Sequence, residues 1–234
     1  MNKNVTHIAS LLTCALVLSG AAKSYAAEYA VTIQTAALNT QALSPNGPFT
    51  LDLQLNYGGY SAGNTATINN FSFGGGSAAG TPSYLGTAAG SLNSAVTLSD
   101  NSVNGFNDFD QTFNPGTTLS FDVTLSDNPS APVPDLFAVA ILDNGGAQIV
   151  TTAPDQLSLA EFSIGNFGTI TRAAYAGVNN TDPDNANEAE LGDYTGVTTT
   201  ISTVPVPEPS SIGVLALGLA AGGLFVARRK AARA

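Results

Sequence analysis

The sequence predicts an all-β chain: an antiparallel β-sandwich with jelly-roll or Greek-key-like connections, preceded by an N-terminal signal peptide and followed by a single C-terminal transmembrane helix. Three observations carry this. Leu51, Leu53 and Leu55 alternate with Asp52 and Gln54, and Leu119, Phe121, Val123 and Leu125 alternate with Ser120, Asp122, Thr124 and Ser126, the period-two pattern of strands with one wet face. Clusters of Gly, Asn, Pro and Ser separate such runs at fairly even intervals, which favours a sandwich. Helical periodicity is scarce, and no fixed repeat period supports a parallel β-helix.

Residues 1–26 read as a secretory leader. Lys3 lies in a polar start, and Ile8 to Leu18 is an apolar run too short to span a bilayer stably. Ser24 and Ala26 put small residues at −3 and −1, so cleavage is expected after Ala26. Cys14 sits inside the apolar run and reads as a small apolar leader residue, not a lipid attachment point.

Residues 27–204 form one acidic domain, long enough to bury a core. Besides the two alternating strands, Tyr29 to Gln34, Ala66 to Phe73, Ala95 to Leu98 and Thr195 to Ile201 are expected to be extended. Leu136 to Leu142 is apolar on both faces and predicts a central strand. The turn Asp143-Asn144-Gly145-Gly146 then predicts a hairpin into Gln148 to Thr151. Gly74 to Gly90 reads as a long loop or a weakly paired edge. Leu157 to Phe162 and the region Glu188 to Leu191 are the places where a turn or two of helix is expected.

Composition removes several functions from this domain. Arg172 is its one cation, since the other six of the seven Lys and Arg lie in the leader or the tail, while all but Glu208 of the seventeen Asp and Glu fall within it. So anionic a body repels phosphate backbones, which excludes nucleic acid as a partner. The single His and single Cys, His7 and Cys14, are both in the leader. The mature domain therefore has no Cys or His zinc ligands, no Ser-His or Cys-His nucleophile and no disulfide. Two carboxylates could hydrolyse glycosides, but the sequence assigns no pair and has no Trp to grip a sugar, so no enzyme and no cofactor are expected.

Candidate binding chemistry is oxygen-based. Asn180, Asp182, Asp184, Asn185, Asn187, Glu188, Glu190 and Asp193 crowd hard ligands into one segment, and Asp182, Asp184, Glu188, Glu190 and Asp193 make a candidate calcium set. As an EF-hand loop the segment fails, because the Gly position holds Asn185 and the bidentate Glu position Leu191. A solvated acidic loop is its plainer reading. A second candidate is Asp108 with Asp110, whose plainer reading is the polar face of a strand with Phe109 pointing inward. Tyr57 and Tyr60 flank Gly58-Gly59 and could present two rings to a polysaccharide, or simply pack.

The tail, residues 205–234, carries the most specific pattern. Val206-Pro207-Glu208-Pro209 is held extended by its prolines. Ile212 to Ala227 follows, uncharged and apolar, and ends at Arg228-Arg229-Lys230. This reads as a short transmembrane helix over 212–227 whose basic stop stays cytoplasmic. Gly218 and Gly222 have the spacing that lets helices approach closely.

Motif, apolar segment and basic end together resemble the PEP-CTERM sorting domain of Gram-negative bacteria. The resemblance implies recognition by an exosortase, a membrane-embedded protease with transpeptidase-like chemistry, acting near Pro207 to Pro209. The run from Phe106 through Asn114-Pro115-Gly116 into Leu119 to Asp122 also resembles bodies on PEP-CTERM proteins of unassigned role. The expectation is export through the Sec translocon, signal-peptidase cleavage, retention at the inner membrane, exosortase processing and display at the cell surface. There the body would do structural or adhesive work in a biofilm or exopolysaccharide matrix. The alternative is a carbohydrate-binding module of that matrix, stabilised by calcium.

Overall fold

A computed structural model describes residues 26–39, 48–58, 63–100, 105–126, 133–144, 146–155, 157–165, 169–180 and 192–205. The leader before Ala26, the segment holding Asp182, Asp184, Glu188 and Glu190, and the tail from Val206 lie outside these. So do Tyr60 and the helical turn expected at Glu188 to Leu191. Among the described residues no helix is long and apolar enough to cross a membrane.

The described residues form an all-β body with antiparallel pairing throughout, consistent with the expected sandwich. One sheet holds, in order, β15 (Thr198–Thr203), β1 (Ala26–Gln34), β9 (Thr118–Ser126), β3 (Thr65–Ser72), β7 (Val96–Ser99) and β6 (Ala89–Gly90). The other holds β12 (Ile170–Ala174), β11 (Ala160–Ile164), β10 (Asp135–Leu142), β2 (Phe49–Asn56), β8 (Phe106–Asn114) and β4 (Ser77–Ala78), with β5 (Ser83–Leu85) also on β8. A small pair, β13 (Asn179–Asn180) and β14 (Gly192–Asp193), forms a sheet of its own. The chain crosses between the large sheets from β1 to β2 to β3 and from β8 to β9 to β10.

Period-two alternation explains where the core sits. Leu119, Phe121, Val123 and Leu125 of β9 and Leu51, Leu53 and Leu55 of β2 all turn inward and join one hydrophobic cluster fed by both sheets. Tyr29 of β1 meets Phe162 of β11 at 5.2 Å between ring centroids, and Phe162 meets Phe137 of β10 at 5.8 Å. Arg172, the body's one cation, lies over the Tyr29 ring at 5.1 Å.

Other expectations are narrowed or changed by the structure. Of the two readings of Gly74 to Gly90, the paired edge holds: β4 and β5 cover the far side of β8, and β6 returns to β7. Two buried amides of β8 hold it there. The Gln111 carbonyl accepts from Leu92 N at 2.8 Å and its amide donates to Ala79 O, while the Asn107 carbonyl accepts from Thr87 N and Thr87 Oγ1. The turn after β10 forms, with Ala147 N donating to Asp143 Oδ1, but its return arm is only the isolated bridge Leu142↔Gln148. β11 takes the pairing with β10 instead, from Asp135↔Ile164 to Val139↔Ala160.

The helical turn expected from Leu157 to Phe162 is not one. Ala160, Phe162 and Ile164 alternate inward as β11, because the spacing satisfies a strand that β10 is positioned to pair. The short helix α1 (Ala36–Asn39) lies elsewhere, where Leu38 is buried and the Asn39 amide donates to Pro115 O at 2.8 Å and Gly116 O at 3.1 Å.

Candidate functional site

The outward face of β2 carries Asp52, Gln54 and Asn56, because Leu51, Leu53 and Leu55 turn the other way. The neighbouring β8 carries Asp108 and Asp110 on the same face, with Phe109 buried beneath. The antiparallel register sets Asp52 opposite Asp110 and Gln54 opposite Asp108. One carboxylate oxygen from each of Asp52, Asp108 and Asp110 lies within 4.8 Å of the others. Ser83 and Leu85 of β5 flank the cluster on its far side, in register with Asp110 and Asp108.

This face is covered by protein on one side. β10 presents Ala138 and Ala140 beside Gln54 and Asp52, and their small side chains leave room for the segment 148–158 to lie across them. Gln148 reaches from that segment to donate to Asp52 Oδ2 at 3.0 Å, and Gln54 donates to the same oxygen at 2.8 Å. Asp155 shapes the segment, accepting from Leu157 N, Ser158 N and, at 2.6 Å, Ser158 Oγ. Between segment and sheet runs a groove of about 120 Å³, lined by Gln54, Gln148, Ala138, Leu136, Leu157 and Ser158 among others.

The electrostatics of the cluster follow from burial with no cationic side chain beside it among the described residues. Asp52 is 3% exposed. Burial first, then hydrogen bonding and repulsion from Asp108 and repulsion from Asp110, push its carboxyl up to about 8, against the smaller opposing pull of Gln148. Burial, with the charge of Asp108, pushes Asp110 up to about 6. Burial also raises Asp108, opposed by its hydrogen bond with Asp52. Ionised carboxylates only accept, so this contact is a hydrogen bond only when a proton lies between the two. Without one, Asp52 Oδ1, Asp108 Oδ1 and Asp110 Oδ1 are buried with no hydrogen-bond partner. Such a cluster can hold a proton or a cation.

The expected calcium set is placed only in part. Asp193 lies in β14, exposed, and its Oδ1 accepts from Thr195 Oγ1 at 2.6 Å and Thr195 N at 3.1 Å, which holds its carboxyl below the usual range. Its partners Asp182, Asp184, Glu188 and Glu190 lie outside the described residues. The pair Asp108 and Asp110 is brought together as a strand face, with Phe109 inward as expected. What sequence reasoning missed is Asp52, whose only signal was an acidic residue alternating with leucines that the β2–β8 register brings to the pair. Tyr57 is half-buried at the end of β2, its amide donating to Gly105 O at 2.9 Å.

At the opposite margin, β15 pairs β1 from Gln34↔Thr198 to Tyr29↔Thr203. Among the described residues the last bond of this ladder is Val204 N donating to Glu28 O at 2.9 Å. Residues 205–230 match the family model of the PEP-CTERM protein-sorting motif. No curated protein and no solved structure matches the chain.

Proposed function

We propose that this chain, an exported protein bearing a PEP-CTERM sorting signal at its C-terminus, is a display protein whose acidic β-body is delivered to the cell surface or extracellular matrix for structural or adhesive work. In this reading the Sec translocon exports it, signal peptidase cuts after Ala26, the apolar segment 212–227 with Arg228, Arg229 and Lys230 retains it at the inner membrane, and an exosortase-type protease acts at Val206-Pro207-Glu208-Pro209. The observation that carries it is the junction of body and motif: Val204, which still bonds to Glu28 in the sheet, is followed directly by the matched segment 205–230. A membrane protease needs an extended substrate, and prolines, each with a fixed φ and a restricted predecessor, favour extended chain. The antiparallel pairing of β15 with β1 brings the start of β1 and the end of β15 to one end of one sheet. The body would hang from the membrane by that end, displaying its surface instead of turning over a substrate.

The test is expression of the full chain, with a tag in an exposed loop, in a host with and without its exosortase-type protease. The expected result is a shortened species at the surface or in the medium only when the protease is present, abolished by replacing Pro207, Glu208 and Pro209 with Ala. Equal release with and without the protease would refute the reading.

A carbohydrate-binding role for the displayed body is the second reading, favoured by the groove that Gln54 and Gln148 line with amides beside Leu136 and Leu157. It predicts saturable polysaccharide binding that weakens in Gln148→Ala or Tyr57→Ala, and it fails if the affinity is the same in both.

A further inference from the structure

We propose that Asp52, Asp108 and Asp110 form a binding site for a hard divalent cation, with calcium the best match, on the outer face of the seven-stranded sheet. This stands independently of the sorting reading. Three carboxylates on adjacent strands, two of them directly opposite in register, repel one another unless something positive lies among them. Asp52 is more than nine-tenths buried, its carboxyl faces the other two, and its Oδ1 has no partner, while Gln54 and Gln148 hold Oδ2 from the other side. Asp108 Oδ1 and Asp110 Oδ1 are likewise enclosed without a donor.

Residues 27–204 hold no spare cationic side chain to supply the charge. Arg172, on β12 at the sheet margin, is their one cation, and it lies over the Tyr29 ring of β1, with β11 and β10 between it and β2. For this body the neutralising charge comes from solution. Calcium binds carboxylate oxygens at about 2.3–2.6 Å, so two oxygens on one ion stand at most roughly 5 Å apart, whereas magnesium confines them to about 4 Å. Oxygens lying within 4.8 Å of one another are close enough to share one such ion, and strand carboxylates of fixed spacing suit the flexible oxygen shell of calcium better than the strict octahedron of magnesium. Asp108 and Asp110 are only half-buried, so the ion has a path in and water can complete its shell. Gln54 and Gln148 would act from outside the shell, orienting Asp52 by its second oxygen.

The experiment is thermal unfolding of the full-length chain in detergent micelles at neutral pH, with millimolar calcium chloride, with magnesium chloride and with chelator. The expected result is a saturable rise of several degrees with calcium and a smaller one with magnesium, since a ligand bound only by the folded state raises the midpoint. Asp52→Asn and, should that variant fold poorly, the more exposed Asp108→Asn should lose the calcium response while keeping the native circular dichroism spectrum. Asp193→Asn should keep it. An unchanged midpoint in the parent chain, or a calcium rise that survives in a folded Asp52→Asn or Asp108→Asn chain, would overturn the proposal.

Discussion

Asp52 and Asp110 stand opposite one another across β2 and β8, two carboxylates on inner strands of one sheet. Neither strand can move them apart without loss elsewhere, because each residue alternates with core side chains: Leu51 and Leu53 on one strand, Phe109 on the other. A register slip of one residue would carry those side chains to the outer face. The hydrophobic pattern therefore fixes an electrostatic conflict in place, and only a proton or a cation relieves it.

The first prediction concerns pH in the absence of divalent cations. Asp52 is raised from 3.8 to about 8, mainly by burial, so the folded state holds this proton more tightly than the unfolded state does. Its stabilising contribution is complete below about pH 4 and is lost as pH rises through about 8; Asp110, pushed up to about 6, acts in the same direction over a narrower range. Asp155 and Asp193, both held below the usual range, work the other way only in more acidic solution. With chelator present the urea midpoint should fall between pH 4 and pH 8, and Asp52→Asn should flatten that fall. A midpoint that climbs over this interval would contradict the assignment.

Packing between the sheets gives the second prediction. Phe162 is fully buried and touches Tyr29 across the sandwich and Phe137 beside it. Phe162→Ala should cost about 3–5 kcal/mol, as truncation of a buried aromatic does. Urea unfolding monitored by circular dichroism should show a lower midpoint with an unchanged slope, and a loss below about 1 kcal/mol would mean the two sheets do not share this core.

Much of this was legible in the sequence, and the exceptions have physical causes. Alternation placed β2 and β9 and their inward leucines, and the doubly apolar run Leu136 to Leu142 became a strand flanked by β11 and β2. Leu157 to Phe162 misled because apolar residues so closely spaced satisfy both helical and extended periods, and only the exposed edge of β10 decides between them. The aspartate cluster was half legible: Asp108 and Asp110 share a strand, but Asp52 reaches them through pairing between chain segments more than fifty residues apart, which no local pattern encodes. Asn107 and Gln111 face the core against the expectation for amides, since they satisfy the backbone of the edge segment.

The third prediction separates two kinds of glycine. A Cβ on Gly76 would stand 2.1 Å from Asn114 O, because the loop after β3 crosses the loop after β8 at backbone contact. Gly146 has a φ of +82° but open space around it. Gly146→Ala should cost about 1–2 kcal/mol, the penalty for a left-handed L-residue. Gly76→Ala should cost clearly more, since backbone must shift, and equal midpoints for the two variants would mean that the crossing loops yield freely.

The last prediction tests what holds the segment 148–158 over β10. Burial opposes ionisation of Asp155, yet the Ser158 hydroxyl and the amides of Leu157 and Ser158 outweigh it and keep the carboxyl below its ordinary value. Its charge is therefore present at neutral pH and caps both amides, a role that typically contributes about 1 kcal/mol. Asp155→Ala should speed hydrogen exchange at Leu157 and Ser158 by roughly five- to tenfold, in line with that energy, while the amides of β10 beneath keep their protection. The neighbouring Thr151 Oγ1 donates independently to Ser158 O at 2.8 Å, so the segment should loosen without detaching. Exchange at Leu157 and Ser158 unchanged from the parent would show that Thr151 alone fixes the segment and that the Asp155 carboxylate is dispensable to it.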